Sequence, residues 1–172
     1  MVKIEFIEKM SPKMRSILFI ITLIIIGIVI GQIIGSLSST YLIEQIEGRG
    51  FQYNPNFRLT DAQINQITRG YTIIATILCI IITLLIGLIS IYLNIYSKIK
   101  SNYLIGFVIF VGVFLLKSVS NLLALTPLMS EPIRAAPLAI PPLLKSNFGP
   151  FGSYFMIFEI IAICILIYLS RE

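Results

Sequence analysis

The sequence contains no histidine, and this absence excludes several kinds of active site. Without imidazole the chain cannot build a bis-histidine haem site, a histidine-ligated zinc site or a histidine-based nucleophilic triad. Its two cysteines, Cys79 and Cys164, stand alone in separate apolar runs instead of forming a CxxC pair. Helical counting puts the two thiols at different depths, so we expect no disulfide and no thiol-oxidising function.

Sequence motifs of common enzymes are also missing. There is no glycine-rich phosphate loop, no nucleophile elbow and no cluster of carboxylates. We therefore predict a protein that is not an enzyme and that has no cofactor and no metal site.

Charge is scarce as well, and apolar residues dominate. Charged residues make up 12% of the chain and hydrophobic residues 57%, with a mean hydropathy of +0.96, which is too apolar for a soluble domain. Long apolar runs without polar alternation predict membrane helices and not barrel strands. The predicted fold is an all-α, four-helix integral membrane protein that forms a single membrane domain over residues 1–172. The predicted spans are residues 16–37, 71–96, 103–125 and 151–169, and the predicted outer loops are residues 38–70 and 126–150.

Basic residues predict the orientation of the chain. They concentrate before the first span, in the short link between spans two and three, and after span four, at Lys3, Lys9, Lys13, Arg15, Lys98, Lys100 and Arg171. Positive charge on short segments favours the cytoplasmic side, so we expect both termini in the cytoplasm and the protein in the cell membrane. The net charge of +5 then reflects topology and attraction to the anionic lipid bilayer, and we expect no nucleic-acid partner.

The first outer loop carries signals for helix boundaries. Thr60 and Gln63 match a capping box, which predicts a helix that begins after Thr60 and continues into span two. The stretch YLIEQIEG extends span one, and Gly48 suits a helix C-terminal cap. We therefore expect an extended outer hairpin between helices 1 and 2, with GRGFQYNPNFRL as its tip. The alternative is an unstructured polar loop.

The second outer loop is rich in proline but apolar. It holds six of the eight prolines in the chain, and this density forbids a continuous helix. We expect the loop to lie as a lid on the outer ends of the helices or to dip between them, and Glu131 and Arg134 could pair if the segment takes one helical turn.

A stripe of small residues in span one predicts close helix packing. Gly27, Gly31 and Gly35 recur every four residues in GIVIGQIIG, which lets another backbone approach. The partner of this stripe is open: it is span two, another copy of the chain or a different protein. Gln32 lies beside the stripe and could form a hydrogen bond across the contact.

Two charged residues lie inside predicted spans. Lys117 is eight residues before Leu125, and Glu159 is eight residues after Phe151. Because spans three and four run in opposite directions, both charges fall about 12 Å below the outer boundary. Since a lone charge at this depth is costly, we expect Glu159 to hold Lys117, with Asn121 as a further polar residue of the site.

The predicted pair has three possible roles: a clamp that fixes two helices, a working site on a proton or ion path, and a contact with a partner subunit. The small multidrug carriers, which also have four helices, keep an unpaired carboxylate in their first helix, and this chain departs from that pattern.

The segments SKIKSNYLIGFVIF and FEIIAICILIYLSRE resemble small uncharacterised multi-pass membrane proteins of archaea. This resemblance covers spans two to four and implies a membrane location, without implying an activity.

We predict an accessory or assembly subunit of a larger membrane complex, in contact with other membrane protein subunits or with copies of itself. One alternative is a small transporter or channel component that uses the Lys117 and Glu159 pair. Another is a membrane sensor that signals through a separate partner.

Overall fold

Four α-helices make up the described structure, as the sequence predicts. The computed structural model describes residues 12–53, 59–125 and 150–170. The helices are α1 (Pro12–Tyr53), α2 (Asp61–Ile99), α3 (Asn102–Leu125) and α4 (Pro150–Leu169). Three of them contain stretches long and apolar enough to cross a membrane, namely Lys13–Gly48 in α1, Asp61–Ile99 in α2 and Tyr103–Leu123 in α3. The apolar part of α4 for which side chains are described, Met156–Leu169, is shorter.

The capping box sets the start of α2. The Thr60 backbone N–H donates to Oε1 of Gln63 at 3.0 Å, and the helix begins at Asp61. This bond satisfies a backbone donor that has no partner within the helix. The predicted start of a helix after Thr60, continuous with span two, is confirmed.

The end of α1 differs from the prediction. The helix does not stop at Gly48 but continues to Tyr53, and no glycine of the described chain has a positive φ. A glycine inside a helix costs only about 1 kcal/mol relative to alanine, so its presence does not force a C-terminal cap. The predicted tip of the hairpin is therefore partly helical, and its residues 54–58 lie outside the described residues.

A tight connection joins α2 to α3. Lys100 adopts the left-handed conformation with φ 50° and ψ 38°, and its N–H donates to the Tyr96 carbonyl at 2.9 Å, which caps α2. Helix α3 then begins at Asn102. The link is shorter than the predicted spans imply, because both helices extend beyond their apolar parts.

Helix α2 lies at the centre of the fold. It packs against α1, α3 and α4, and α1 also contacts α4, whereas the backbones of α3 and α4 make at most marginal contact with each other. The core is formed by buried apolar residues of three helices, Ile81, Leu84, Leu85, Leu88, Val111, Ile163 and Ile167. Phe19 and Leu23 of α1 pack against the same cluster. As a result, α3 and α4 both pack on α2 but make little backbone contact with each other.

The helices differ in length, so α1 and α2 extend past the other two. Helix α1 has 42 residues and α2 has 39, whereas α3 has 24 and α4 has 20. At 1.5 Å per residue the first two are about 60 Å long and the last two about 30 to 36 Å. Near the end of α4, Ser170 Oγ lies 2.9 Å from the Tyr92 hydroxyl of α2, and the Tyr92 ring lies 4.3 Å from the Phe107 ring of α3, so this end of α4 lies beside the α2–α3 connection. The excess length of α1 and α2 therefore lies at the opposite end, as a two-helix hairpin.

The glycine stripe of α1 packs against α2 of the same chain. A methyl group added at Gly27 would lie 2.7 Å from Ile80 Cα, and one added at Gly31 would collide with Thr76 Cα. The contacts are Gly27 with Ile80, Gly31 with Thr76, and Gly35 with Thr72. We call this contact the glycine seam. Gln32 has an exposed side chain that forms no hydrogen bond within the described chain, so it does not bond across the seam.

The proline-rich segment, residues 126–149, lies outside the described residues, and with it the expected pair of Glu131 and Arg134.

Candidate functional site

Lys117 of α3 and Glu159 of α4 form an ion pair between their two helices. The Lys117 Nζ atom lies 3.8 Å from Glu159 Oε2. The chain brings the two groups together because α3 and α4 run in opposite directions along α2, with Lys117 eight residues before the end of α3 and Glu159 nine residues after the start of α4. The pair is thus a direct link between two helices whose backbones barely touch.

The contact is an ion pair without a hydrogen bond. Its 3.8 Å exceeds the 2.7–3.2 Å typical of an N–H···O bond. Within the described chain Lys117 donates no hydrogen bond, and its other notable neighbour is the Phe114 ring, whose centroid lies 5.7 Å from Nζ. Glu159 Oε1 is buried and has no hydrogen-bond partner among the described residues. The pair therefore balances charge while several donor and acceptor positions stay unsatisfied.

The two partners differ in exposure. The side chain of Lys117 is 59% exposed, whereas that of Glu159 is 16% exposed. Neighbours of Lys117 on α3, including Val113 and Leu116, are exposed apolar residues. The carboxylate thus lies inside the fold, and the ammonium lies at the surface of α3, on a face that is mostly apolar.

Asn121 lies one turn beyond Lys117 on α3 and is half-buried. Its side chain forms no hydrogen bond with Lys117 or Glu159 in the described structure, so Asn121 belongs to the same helix face but is not joined to the pair. Cys79 is buried, Cys164 is half-buried, and both are free thiols.

A hydroxyl on α2 makes a contact that sequence reasoning did not identify. Thr83 Oγ1 lies 3.1 Å from the Leu23 carbonyl of α1, and it also lies 3.0 Å and 2.9 Å from the Cys79 and Ile80 carbonyls of its own helix. Because a hydroxyl carries a single proton, these three acceptors share one donor. The same Oγ1 would lie 2.8 Å from a methyl group added at Gly27. In the sequence, Thr83 is recognisable only as a lone threonine in an apolar run, and the run does not reveal which helix the threonine faces.

The site has the chemistry of a charge-neutral link. The pair sums to zero charge, and no histidine exists in the chain to act as a base beside it. The site consists of an ammonium group at the surface of α3, paired with Glu159, and a buried carboxylate oxygen of Glu159 that has no hydrogen-bond partner among the described residues.

These features define the class: an all-helical protein with three helices that are long and apolar enough to cross a membrane. The chain belongs to the family of unknown function DUF8036, whose model matches residues 71–171. That match covers most of α2, all of α3 and α4, and therefore both Lys117 and Glu159, while α1 lies outside it. No curated protein and no solved structure matches the chain.

Proposed function

We propose that the protein is a non-enzymatic, multi-pass protein of the cell membrane that acts as an accessory or assembly subunit of a larger membrane complex. In this proposal all four helices cross the bilayer, both termini are cytoplasmic, and the α1–α2 hairpin extends on the outer side. The basic residues of the termini and of the α2–α3 link support this orientation. Helix α4, with 20 residues, is about as long as the hydrocarbon layer is thick.

The exposure of Lys117 carries the proposal of a partner. Charged side chains in membrane helices almost always face the interior of a bundle or a water-filled cavity. Lys117 instead has a 59% exposed side chain on a mostly apolar face of α3. In a chain surrounded by lipid alone, that ammonium would meet hydrocarbon on its open side. Another membrane protein that covers this face would remove the penalty.

A lysine can also reduce this penalty by extending its ammonium toward the membrane surface. The position of the Lys117 ammonium argues against this solution. The ammonium lies beside Glu159. By helical rise, the backbones of both residues are at the same depth, about 12 Å from the Leu125 end of α3. The aliphatic part of the Lys117 side chain is thus directed toward Glu159 of α4.

The mass of the protein in its native membrane tests this proposal. A tagged chain would be extracted with its surrounding bilayer into polymer-bounded nanodiscs and measured by native mass spectrometry. We expect particles that contain the 19.3 kDa chain together with a second membrane protein in a fixed ratio. Particles that contain this chain alone, as one or several copies, would contradict the proposed role as a subunit of a larger complex.

A second candidate function is that of a small transporter or channel component. The observation in its favour is Glu159 Oε1, a buried carboxylate oxygen without a donor, where a proton or a cation can bind. Proton or cation flux into proteoliposomes that Glu159→Gln abolishes would favour this role. The absence of any flux above protein-free vesicles would exclude it.

A further inference from the structure

We propose that the partner covers Lys117 with a transmembrane helix that presents an uncharged hydrogen-bond acceptor to the ammonium, along the exposed face of α3. The acceptor is a side-chain amide or hydroxyl. This inference rests on the proposed function, because it specifies the chemistry of the partner that the complex would contain.

The first step is the inventory of donors on Lys117. An ammonium group has three N–H donors and no acceptor. The 3.8 Å contact with Glu159 is too long for a hydrogen bond, and the Phe114 ring gives only an electrostatic contact. In the part of the chain that the structure describes, all three donors thus lack an acceptor. Since unsatisfied donors are costly away from water, the missing acceptors must come from whatever covers the 59% exposed side chain.

The second step is the charge of the acceptor. Lys117 and Glu159 already sum to zero. An additional carboxylate from the partner would leave a net negative charge in the membrane, and an additional cation would repel Lys117. An amide or hydroxyl accepts a hydrogen bond without changing the charge of the site. Such side chains are common at contacts between membrane helices.

The third step is the shape of the covered surface. Exposed residues of α3 recur at alternating spacings of three and four, at Gly106, Ile109, Val113, Leu116 and Ser120. This spacing follows one face of a helix and is the pattern with which helices pack along their length. Lys117 lies at the edge of this face, next to Leu116. A helix that packs here would therefore pass beside the ammonium.

The first part of the test maps the contact in the intact membrane. A photo-crosslinking amino acid would replace Leu116, which is 68% exposed, and a matched control would replace Ile25, which is 55% exposed on α1. We expect an adduct at position 116 with a membrane segment of another protein, containing Asn, Gln, Ser or Thr within one turn of the crosslink. We expect no protein adduct at position 25.

Adducts at position 116 with lipid alone or with a second copy of this chain alone, or adducts in equal yield at position 25, would overturn this inference, whereas the proposed function is contradicted only if the native particles also lack a second membrane protein. An adduct with a segment that carries a carboxylate or only apolar residues at the contact would overturn this inference alone.

The second part of the test uses two double variants that both remove the ion pair. In Lys117→Gln with Glu159→Gln, the amide at position 117 still offers N–H donors to a partner. In Lys117→Met with Glu159→Gln, the side chain at position 117 has a similar length and shape to glutamine but no N–H donors. We expect the first variant to retain most of the adduct at position 116, and the second to lose about tenfold, the change that 1.4 kcal/mol produces.

Melting temperatures of the two double variants in detergent check that both fold equally well. Equal adduct yields, whether both high or both low, would show that no hydrogen bond from position 117 recruits the partner. That outcome would overturn this inference and leave the proposed complex intact, provided that the unmodified chain gives the adduct.

Discussion

Replacement of Gly31 by alanine should separate α1 from α2. A methyl group at Gly31 would collide with Thr76 Cα, and it would lie 3.0 Å from Thr76 N and 3.1 Å from Ala75 O. All three neighbours are backbone atoms, so no side-chain rotation can relieve the contact. Carbon atoms pack best at about 3.5 to 4.0 Å, so the two helices must move apart locally by about 1 Å.

This displacement would weaken the whole seam, because Gly27 and Gly35 make equally close contacts with α2. Insertion of a methyl group into a packed interface destabilises by about 1 to 3 kcal/mol. We expect Gly31→Ala to lower the melting temperature in detergent, followed by circular dichroism, and we expect Gly31→Leu to lower it further.

Gly112→Ala is the matched control for this prediction. Gly112 lies within α3, and a methyl group added there would have no atom within 4 Å apart from the adjoining residues and backbone of its own helix. Alanine should be neutral or slightly stabilising at that position, because it has the higher helix propensity. If Gly31→Ala and Gly112→Ala melt at the same temperature as the unmodified protein, the close packing of α1 on α2 is wrong.

Two further predictions concern the interhelical hydrogen bond and the topology. Thr83→Val should lower the free energy of unfolding by about 0.6 to 2 kcal/mol, the range of hydrogen bonds between membrane helices. Thr22→Val is the control and should be nearly neutral, because the exposed Thr22 hydroxyl bonds only within its own helix. Equal effects of the two changes on the free energy of unfolding would refute a link through Thr83. In a chain whose native cysteines are replaced by alanine, Gly48→Cys should react with an impermeant thiol reagent applied to intact cells, and Lys98→Cys should not. Reaction at Lys98 would overturn the proposed orientation.

Helix positions could be predicted from the sequence because they depend on local information. Apolar runs locate the helices, and the Gln63 side chain fixes the start of α2 through a bond to the Thr60 backbone within one turn. The end of α1 could not be predicted in the same way. Gly48 permits a C-terminal cap but does not require one, so the continuation of the helix depends on its surroundings.

The candidate site was only partly predictable for a similar reason. Counting residues from the helix ends gives the level of Lys117 and Glu159, because the helical rise is constant. The rotation of each helix about its own axis depends on how it packs against α2. The sequence therefore does not reveal that Lys117 is mostly exposed while Glu159 is mostly buried. Nor does it reveal that the glycine seam faces α2, since a small-residue stripe has no preferred partner.

The most direct test of the link between α3 and α4 is a double-mutant cycle on Lys117 and Glu159. Lys117→Met alone and Glu159→Gln alone should each lower the free energy of unfolding in detergent or bilayer, because each removes one partner of the 3.8 Å contact and leaves the other charge unmatched. The double variant should recover much of this loss, with a coupling energy of about 1 to 3 kcal/mol. Losses that simply add, with a coupling energy below about 0.5 kcal/mol, would mean that the two side chains do not stabilise each other.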